Sequence, residues 1–454
     1  MSNHPICKSI RSYLNPKYLK SPIVAGTFFL TAAGLITKLI GFFYRIFLSR
    51  VFKDEGLGII GLVSPVIVLA HSIFAAGIQN AITRFVAASK KDKTAEAYGY
   101  LFTGIAISVF LSGITTYVVF NQAPFIAANI IGERRCTPLL RISALSFPLA
   151  TIHSCLNGFF YGQKRASVPA VSLIIEQLCR VLTVYALYKI TVRAGANVSL
   201  SYVCLGMLAG EFCSALFSCI MLAFSNKSQD FSSHDAISFN KGKSIVSLAL
   251  PISLNRICIS LISTLETIQL PKKLMTSGLA SSDALSVYGV FSGMALPLIM
   301  FPSAITNSVS SLLLPSVSEA QSQGDAKRIR KIIYLTIGFC FALGIGCLLF
   351  FSVFANLLGT FLFDSTVAAG QIRALSLVCP FLYLSGTLCS ILNGLGKTGT
   401  TFAFNVSSIL LRLGFVYFVV PSAGFAGYIY GILCSQMLLD FVIILALKRY
   451  LIYN

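Results

Sequence analysis

What most constrains this chain is a succession of apolar runs, each as long as a helix that crosses a lipid bilayer. A spanning helix needs about 20 predominantly apolar residues, and the stretches between charged or turn-rich breaks give twelve such runs. Only 11% of the 454 residues are charged, whereas a soluble chain carries about 25%. We therefore predict an all-α polytopic membrane protein with about twelve transmembrane helices. The predicted spans are 23–48, 57–86, 98–120, 138–161, 168–189, 200–224, 244–270, 285–317, 332–355, 371–394, 401–420 and 424–447.

The second half of the chain repeats the pattern of the first. A Leu-Asn-Gly turn at 156–158 recurs at 392–394, and Arg180 recurs as Arg412. The matching residues keep the same order and spacing in both halves, which indicates a duplicated unit of about 230 residues. In an apolar chain this is typical of a two-lobed transporter. We predict an N-terminal lobe over residues 1–224, a cytoplasmic linker over 225–243 and a C-terminal lobe over 244–454.

Positive charge lies mainly in the short connections on one side of these spans. The formal net charge is +20, and twenty Lys and Arg residues fall on the side that holds the amino terminus, against eight on the other. Cytoplasmic loops of membrane proteins carry such an excess. We predict that both termini are cytoplasmic, and the distribution over short loops argues against nucleic acid as a partner.

Cations within the spans are the candidates for substrate binding. Lys38 and Arg45 are seven residues apart and therefore share one face of the first helix. No acidic residue lies within one turn of either on that helix, so a water-filled cavity that receives an anionic group suits them. The alternative is that Arg45 reaches to the lipid headgroups while Lys38 pairs with a carboxylate elsewhere in the chain. Arg84 in the second span and Arg256 in the seventh are further candidates, because an Arg guanidinium binds phosphate oxygens in pairs.

Two carboxylates within the spans are candidates for ion coupling. Glu176 precedes Arg180 by four residues, the favourable order for a pair within one helix, so neutralisation is its simpler interpretation. Glu266 can be a proton or cation site, a counter-ion, or an interfacial residue. No zinc-helix motif, nucleophile elbow or pair of carboxylates at helical spacing occurs. We expect no enzyme chemistry, no cofactor and no metal.

The first two helices and the repeated turn resemble the polysaccharide-biosynthesis flippases related to stage V sporulation protein B. That family lies in the multidrug/oligosaccharidyl-lipid/polysaccharide (MOP) exporter superfamily, with the lipid II flippase MurJ and the MATE antiporters. The segments that carry the resemblance are Thr37 to Arg45, Leu48 to Phe52, Glu55 to Gly58, Ala76 to Ala87 and the two Leu-Asn-Gly turns.

The resemblance implies two six-helix lobes around a central cavity with alternating access. It also implies a polyprenyl-diphosphate-linked sugar as substrate, with a peptidoglycan precursor as the cargo of the sporulation branch. Lys38 and Arg45 then correspond to diphosphate contacts, and Arg84 does so more weakly. A bacterial cytoplasmic membrane, membrane lipid around a monomer, and envelope or spore-cortex synthesis enzymes as partners complete the implied setting.

The chain departs from its MurJ-like relatives at two points. Those proteins carry an Arg near the start of the second lobe's second helix, whereas Val287 to Phe291 contains none, so Arg256 is the candidate substitute. Many relatives have fourteen spans, and this chain has twelve. Two alternatives to a flippase stay open: a cation-coupled multidrug antiporter, and a membrane scaffold without transport activity in envelope synthesis.

Overall fold

The structure of the chain is a computed structural model that describes residues 22–89, 94–225 and 238–453. Within these residues all regular structure is helical, and no strand is present. The helices of the first part are α1 (Pro22–Phe74), α2 (Ala76–Ala88), α3 (Thr94–Phe125), α4 (Cys136–Leu145), α5 (Phe147–Gly162), α6 (Ser167–Arg193) and α7 (Ser201–Ser225). A π-helical turn at Ile126–Ile131 follows α3.

The second part of the chain is also helical and contains a π-helical turn at Phe291–Ala295. They are α8 (Phe239–Thr276), α9 (Ser281–Val290), α10 (Leu296–Met300), α11 (Ser303–Ser322), α12 (Ala326–Phe363), α13 (Thr366–Ser376), α14 (Cys379–Gly394), α15 (Thr398–Phe418) and α16 (Val420–Tyr453). Residues 226–237, most of the predicted linker, lie outside the described residues, and the linker's last residues already belong to α8.

The all-helical membrane fold predicted from the apolar runs is confirmed. Nine helices of the described residues are long and apolar enough to cross a membrane, and eleven if each of two bent helix pairs is one span. The first of these candidates, Phe29–Ala88, has 60 residues, about 90 Å of helix against a hydrocarbon core of about 30 Å. Lys53 interrupts it with a left-handed backbone (φ 57°). Counted as two spans, it brings the total to the predicted twelve.

The two bent pairs are equivalent elements of the repeat. α4 meets α5 at 43°, and α13 meets α14 at 56°. Pro148 and Pro380 stand in the first turns of α5 and α14, where the missing N–H costs no hydrogen bond, and proline disfavours helical backbone in the residue before it. Each proline therefore ends the preceding helix and starts the next in a new direction.

The repeated Leu-Asn-Gly segment, predicted as a turn, is helical: it lies inside α5 in the first half and at the end of α14 in the second, and it makes the same contact in both. Thr83 of α2 donates a hydrogen bond from Oγ1 to the carbonyl of Gly158 at 3.0 Å. Ser318 of α11 donates from Oγ to the carbonyl of Gly394 at 2.8 Å. Both glycines lie so close to the neighbouring helix that no side chain fits between the backbones. The repeated Leu-Asn-Gly segment is therefore a helix-packing element.

The chain divides into two compact units that are each formed from several segments. The first unit takes in residues up to Gly41, Ala70–Pro124 and Thr137–Ile257, and the second takes in Phe42–Leu69, Phe125–Cys136 and the residues from Cys258 onward. Each has a buried apolar core, around Phe159 in the first and around Leu388 in the second. The lobe boundaries at residues 224 and 244 stay a prediction.

Candidate functional site

Three of the four predicted substrate-binding cations lie in the first unit with exposed side chains. Lys38 stands on α1, Arg84 on α2 and Arg256 on α8, and each is exposed. None of the three forms a hydrogen bond or ion pair with a described residue. Each therefore has its full set of N–H donors available to an anionic ligand.

The fourth cation, Arg45, lies in the second unit and forms one hydrogen bond with a described residue. Its Nη1 donates a hydrogen bond of 3.1 Å to the carbonyl of Ser292, which lies in the π-helical turn at Phe291–Ala295. A guanidinium has five N–H donors, so this bond orients Arg45 and leaves most of its donors free. The joint placement of Lys38 and Arg45 in one site stays a prediction.

The predicted ion-coupling residue Glu266 is the counter-ion of Arg412. Arg412 Nε donates to Glu266 Oε1 at 2.5 Å, and its Nη2 donates to Oε2 at 2.8 Å. The hydroxyl of Tyr428 donates to Oε1 at 2.8 Å. The Glu266 side chain is only 4% exposed, so the carboxylate is enclosed and well supplied with donors. Of the roles that the sequence left open, the structure shows that of counter-ion. Ion coupling through Glu266 stays a prediction.

Glu176 forms the predicted pair with Arg180, and it also belongs to a larger polar cluster in the first unit. A salt bridge within α6 joins the two side chains. His153 of α5 and Glu211 of α7 complete a group in which one ligand atom each of His153, Glu176 and Glu211 lies within 4.8 Å of the others. Three helices therefore bring two carboxylates and an imidazole together, which we call the His153 cluster.

Hydrogen bonds orient the imidazole of the His153 cluster. Asn157 Nδ2, which can only donate, lies 2.9 Å from His153 Nε2, so Nε2 accepts and Nδ1 is assigned the proton. Nδ1 then donates to Glu211 Oε2 at 3.3 Å. Ser172 Oγ lies 2.8 Å from Nε2 and Ser214 Oγ lies 3.2 Å from Nδ1. The network holds the ring against the carboxylates in one orientation.

When both carboxylates are ionised, the His153 cluster and Arg180 together carry one net negative charge, which one additional positive charge would neutralise. Glu176 and Glu211 carry two negative charges when ionised, and Arg180 supplies one positive charge. Carboxylate oxygens and an imidazole nitrogen can accept a proton or ligate a small cation. His153 and Glu211 are not among the site residues expected from the sequence. Their relationship is invisible in the sequence because 58 residues separate them.

The two halves neutralise the repeated arginine in different ways. Arg180 takes its carboxylate from its own helix, whereas Arg412 takes Glu266 from α8. In the second copy, Ser408 occupies the position that corresponds to Glu176. Its hydroxyl donates a hydrogen bond to the carbonyl of Ser435. The guanidinium of Arg412 thus binds a buried carboxylate, which agrees with a structural role for the repeated arginine.

Comparison with protein families gives two matches. A model of the family described as polysaccharide biosynthesis protein matches residues 23–321. A model of the MatE family matches residues 251–418. The first match covers well over half of the chain.

Curated relatives from Bacillus subtilis (strain 168) align with most of the chain. Stage V sporulation protein B is 27% identical over 427 residues, which cover 92% of this chain and 82% of that protein. Sporulation protein YkvU is 23% identical and covers 87% of each chain. Lipid II flippase MurJ is 21% identical over 344 residues, 70% of this chain and 62% of that protein.

Solved structures of transporters share the fold. An inward-facing multidrug resistance MATE family transporter of the MOP superfamily aligns with a TM-score of 0.77 at 16% identity, over 91% of this chain and 94% of that one. An outward-facing structure of such a transporter aligns with a TM-score of 0.66, over 95% and 97%. The resemblance inferred from the first two helices and the MATE-like fold class are thereby confirmed.

Proposed function

The chain belongs to the polysaccharide biosynthesis protein family, and we propose that it moves a polyprenyl-diphosphate-linked oligosaccharide across the bacterial cytoplasmic membrane. As a multi-span transporter related to flippases, it has the fold for such a task. The prenyl tail would stay in lipid while the diphosphate-sugar headgroup crosses on the protein. Carriage of the anionic headgroup is the step that requires protein charges.

The exposed, unpaired cations within the spans are the observation that supports this proposal. Lys38, Arg84 and Arg256 have no partner among the described residues. A charged side chain that faces hydrocarbon costs about 2.5–3.5 kcal/mol or more, so water or an anionic ligand is needed to stabilise all three. A diphosphate supplies the matching charge, and an arginine fork fits its oxygens in pairs.

The relatives narrow the class of cargo. Stage V sporulation protein B and the lipid II flippase are both among the curated relatives, and the latter name specifies a lipid-linked peptidoglycan precursor. We propose the same class for this chain, used in sporulation-associated envelope synthesis. The protein would act as a monomer in membrane lipid, near the enzymes that make or consume the precursor.

The test is leaflet translocation of a labelled polyprenyl-diphosphate sugar in proteoliposomes. We expect Lys38→Ala, Arg45→Ala, Arg84→Ala and Arg256→Ala to slow translocation, each by about tenfold if one charged hydrogen bond of about 1.5 kcal/mol is lost. Arg330→Ala is the matched control, since Arg330 is an exposed cation in the first turns of α12. Full activity of the Lys38→Ala/Arg45→Ala double variant would refute the site.

The alternative function is a cation-coupled multidrug antiporter, and the His153 cluster favours it. Two carboxylates and an oriented imidazole within candidate spans can take up a proton or a small cation. Efflux of a drug driven by a sodium or proton gradient, without lipid translocation, would establish this function instead. Absence of both activities in a folded sample would leave the non-transporting scaffold.

Orientation is a further part of the proposal. Both termini would be cytoplasmic, with the positive-inside excess as the reason. A protease-cleavable tag at the carboxyl terminus should be protected in intact cells and cut in inverted vesicles. Cleavage in intact protoplasts would reverse the assignment.

A further inference from the structure

A buried carboxyl group in the second unit has no partner. Asp440 of α16 is only 3% exposed, and neither of its carboxylate oxygens has a hydrogen-bond partner among the described residues. Gln436, one helical turn earlier on the same face, also has a buried Oε1 without a donor. Lys448 lies eight residues further on, about 12 Å along the helix. Asp440 therefore lies within the span.

Asp440 lies beside the apolar core of the second unit. Leu439, Ile443 and Leu447 of the same helix belong to the buried core of the second unit, together with Leu388 of α14. An ionised carboxylate in such a setting, without a donor or a cation, costs several kilocalories per mole. The arrangement is therefore stable only when the negative charge is removed or neutralised.

Among the described residues, no Lys, Arg or His forms an ion pair or hydrogen bond with Asp440. In the part of the chain that the structure describes, the titratable groups near Asp440 are the thiols of Cys340 on α12 and Cys389 on α14. On α15, Arg412 is bound to Glu266, and Asn405 donates from Nδ2 to the carbonyl of Thr401. Neutralisation by a protein side chain is thus excluded for the described residues.

A proton satisfies this site with fewer groups than a metal ion needs. Protonation removes the charge and turns one Asp440 oxygen into an O–H donor, for which Gln436 Oε1, an acceptor without a donor, is the nearest candidate along the helix. A sodium-like ion instead prefers several oxygen ligands, as hard cations do. Here, Asp440 and Gln436 are the residues with free oxygens.

We propose that Asp440 is a proton-binding site, protonated in this state, which releases its proton only when the packing of α16 opens to water. Such a site would give the second unit a protonation step of its own, separate from the His153 cluster and from the cations proposed to bind substrate. The inference does not depend on the identity of the transported substrate, so it can fail while the proposed function stands.

Infrared spectroscopy of the purified full-length protein in lipid nanodiscs tests the site directly. We expect a carbonyl band of a protonated carboxyl group at neutral pH, which is lost in Asp440→Asn and retained in Asp364→Asn. Asp364 is an exposed residue in the left-handed conformation at the end of α12, which asparagine also adopts, so that control changes an aspartate without disturbing the fold.

Thermal denaturation over a range of pH gives the second measurement. If the folded protein holds a proton that the unfolded chain releases, the Tm of the natural protein falls as the pH rises, and Asp440→Asn loses this part of the slope. A missing infrared band, or a band that Asp440→Asn retains, would overturn the proposal. A Tm that rises with sodium in the natural protein and not in Asp440→Asn would replace the proton by a metal ion.

Discussion

Arg412 and Glu266 form a doubly hydrogen-bonded ion pair, with Nε to Oε1 at 2.5 Å and Nη2 to Oε2 at 2.8 Å. The carboxylate is buried, and the hydroxyl of Tyr428 supplies it with a third hydrogen bond. The pair joins α15 to α8, and through Tyr428 it includes α16. The pair therefore connects three helices, and the loss of either charged partner would leave the other charge buried without a counter-ion.

Removal of one member of this pair should be strongly destabilising. Arg412→Leu leaves the Glu266 carboxylate buried without its cation, for which we expect a loss of about 3–5 kcal/mol. The double variant Glu266→Leu/Arg412→Leu should recover most of that loss, since apolar replacements of a buried pair are often nearly neutral. The measurement is the free energy of unfolding in detergent.

The matched control for that cycle is the exposed pair of Arg328 and Glu319. Their closest atoms lie 3.4 Å apart and both side chains are at least 36% exposed, so Arg328→Leu should cost at most about 1 kcal/mol. Equal effects of Arg328→Leu and Arg412→Leu would show that the buried pair contributes no more than a surface pair.

Side chains added at the repeated glycines should disturb packing in both halves. A Cβ at Gly158 would lie 2.7 Å from the carbonyl oxygen of Gln79, and one at Gly394 would lie 2.9 Å from that of Leu314. Backbone atoms cannot move aside easily, so we expect Gly158→Ala and Gly394→Ala each to cost about 1–3 kcal/mol. Thermal denaturation in detergent measures the effect.

Gly386 provides the control within α14, because no atom lies within 4 Å of a Cβ built there. Gly386→Ala should be neutral or stabilising by about 0.5–1 kcal/mol, through the lower entropy cost of alanine in a helix. A Gly394→Ala protein as stable as the Gly386→Ala protein would contradict the packing role of the Leu-Asn-Gly segment.

Acid should weaken an ion-pair group outside the spans. Arg135 donates from Nε to Glu133 Oε1 at 2.9 Å, and this hydrogen bond lowers the pKa of Glu133. A carboxyl group with a lowered pKa in the folded state stabilises the fold above its unfolded pKa of about 4.3. That contribution is lost as the pH falls through the lower folded value.

Glu133→Gln should therefore lower the Tm slightly at neutral pH, by an amount that corresponds to at most about 1 kcal/mol because Arg135 is half exposed. The difference from the natural protein should shrink in acid, below about pH 4. Denaturation curves over a pH series measure both effects. A difference that grows in acid would mean that Glu133 is not held as a carboxylate by Arg135.

If the His153 cluster couples transport to a cation, Glu211→Gln should make the transport rate independent of an imposed proton or sodium gradient. The substitution removes one of the two negative charges near His153 while it keeps the shape of the side chain. Transport in proteoliposomes with and without each gradient is the measurement, with Glu319→Gln as the exposed control. Unchanged gradient dependence in Glu211→Gln would exclude the cluster as the coupling site.

Several parts of the site could be predicted from local sequence alone. The pairing of Glu176 with Arg180 follows from their spacing within one helix, and the structure contains it. The unpaired state of Lys38 agrees with the lack of acidic neighbours on its helix. Residue spacing is informative in these cases because a helix brings positions three and four apart together whatever surrounds it.

The partner of Arg412 could not be predicted in this way. Arg412 and Glu266 are 146 residues apart in the sequence. In the first copy of the repeat the carboxylate precedes the arginine by four residues, but Ser408 occupies that position before Arg412. His153 and Glu211 are likewise on different helices. Spanning helices are apolar on most faces, so the pattern that marks the buried face of a soluble helix is weak here.

The all-helical membrane fold and the family resemblance could be predicted from the residues alone, because a helix in lipid must satisfy its own backbone hydrogen bonds and so appears as an apolar run. Which buried charges meet depends instead on the three-dimensional packing of the helices. That packing paired Arg412 with Glu266, gathered His153, Glu176 and Glu211, and left Asp440 without a donor. These outcomes depend on how helices rotate and pack against one another, and the lengths of the apolar runs carry no record of that rotation.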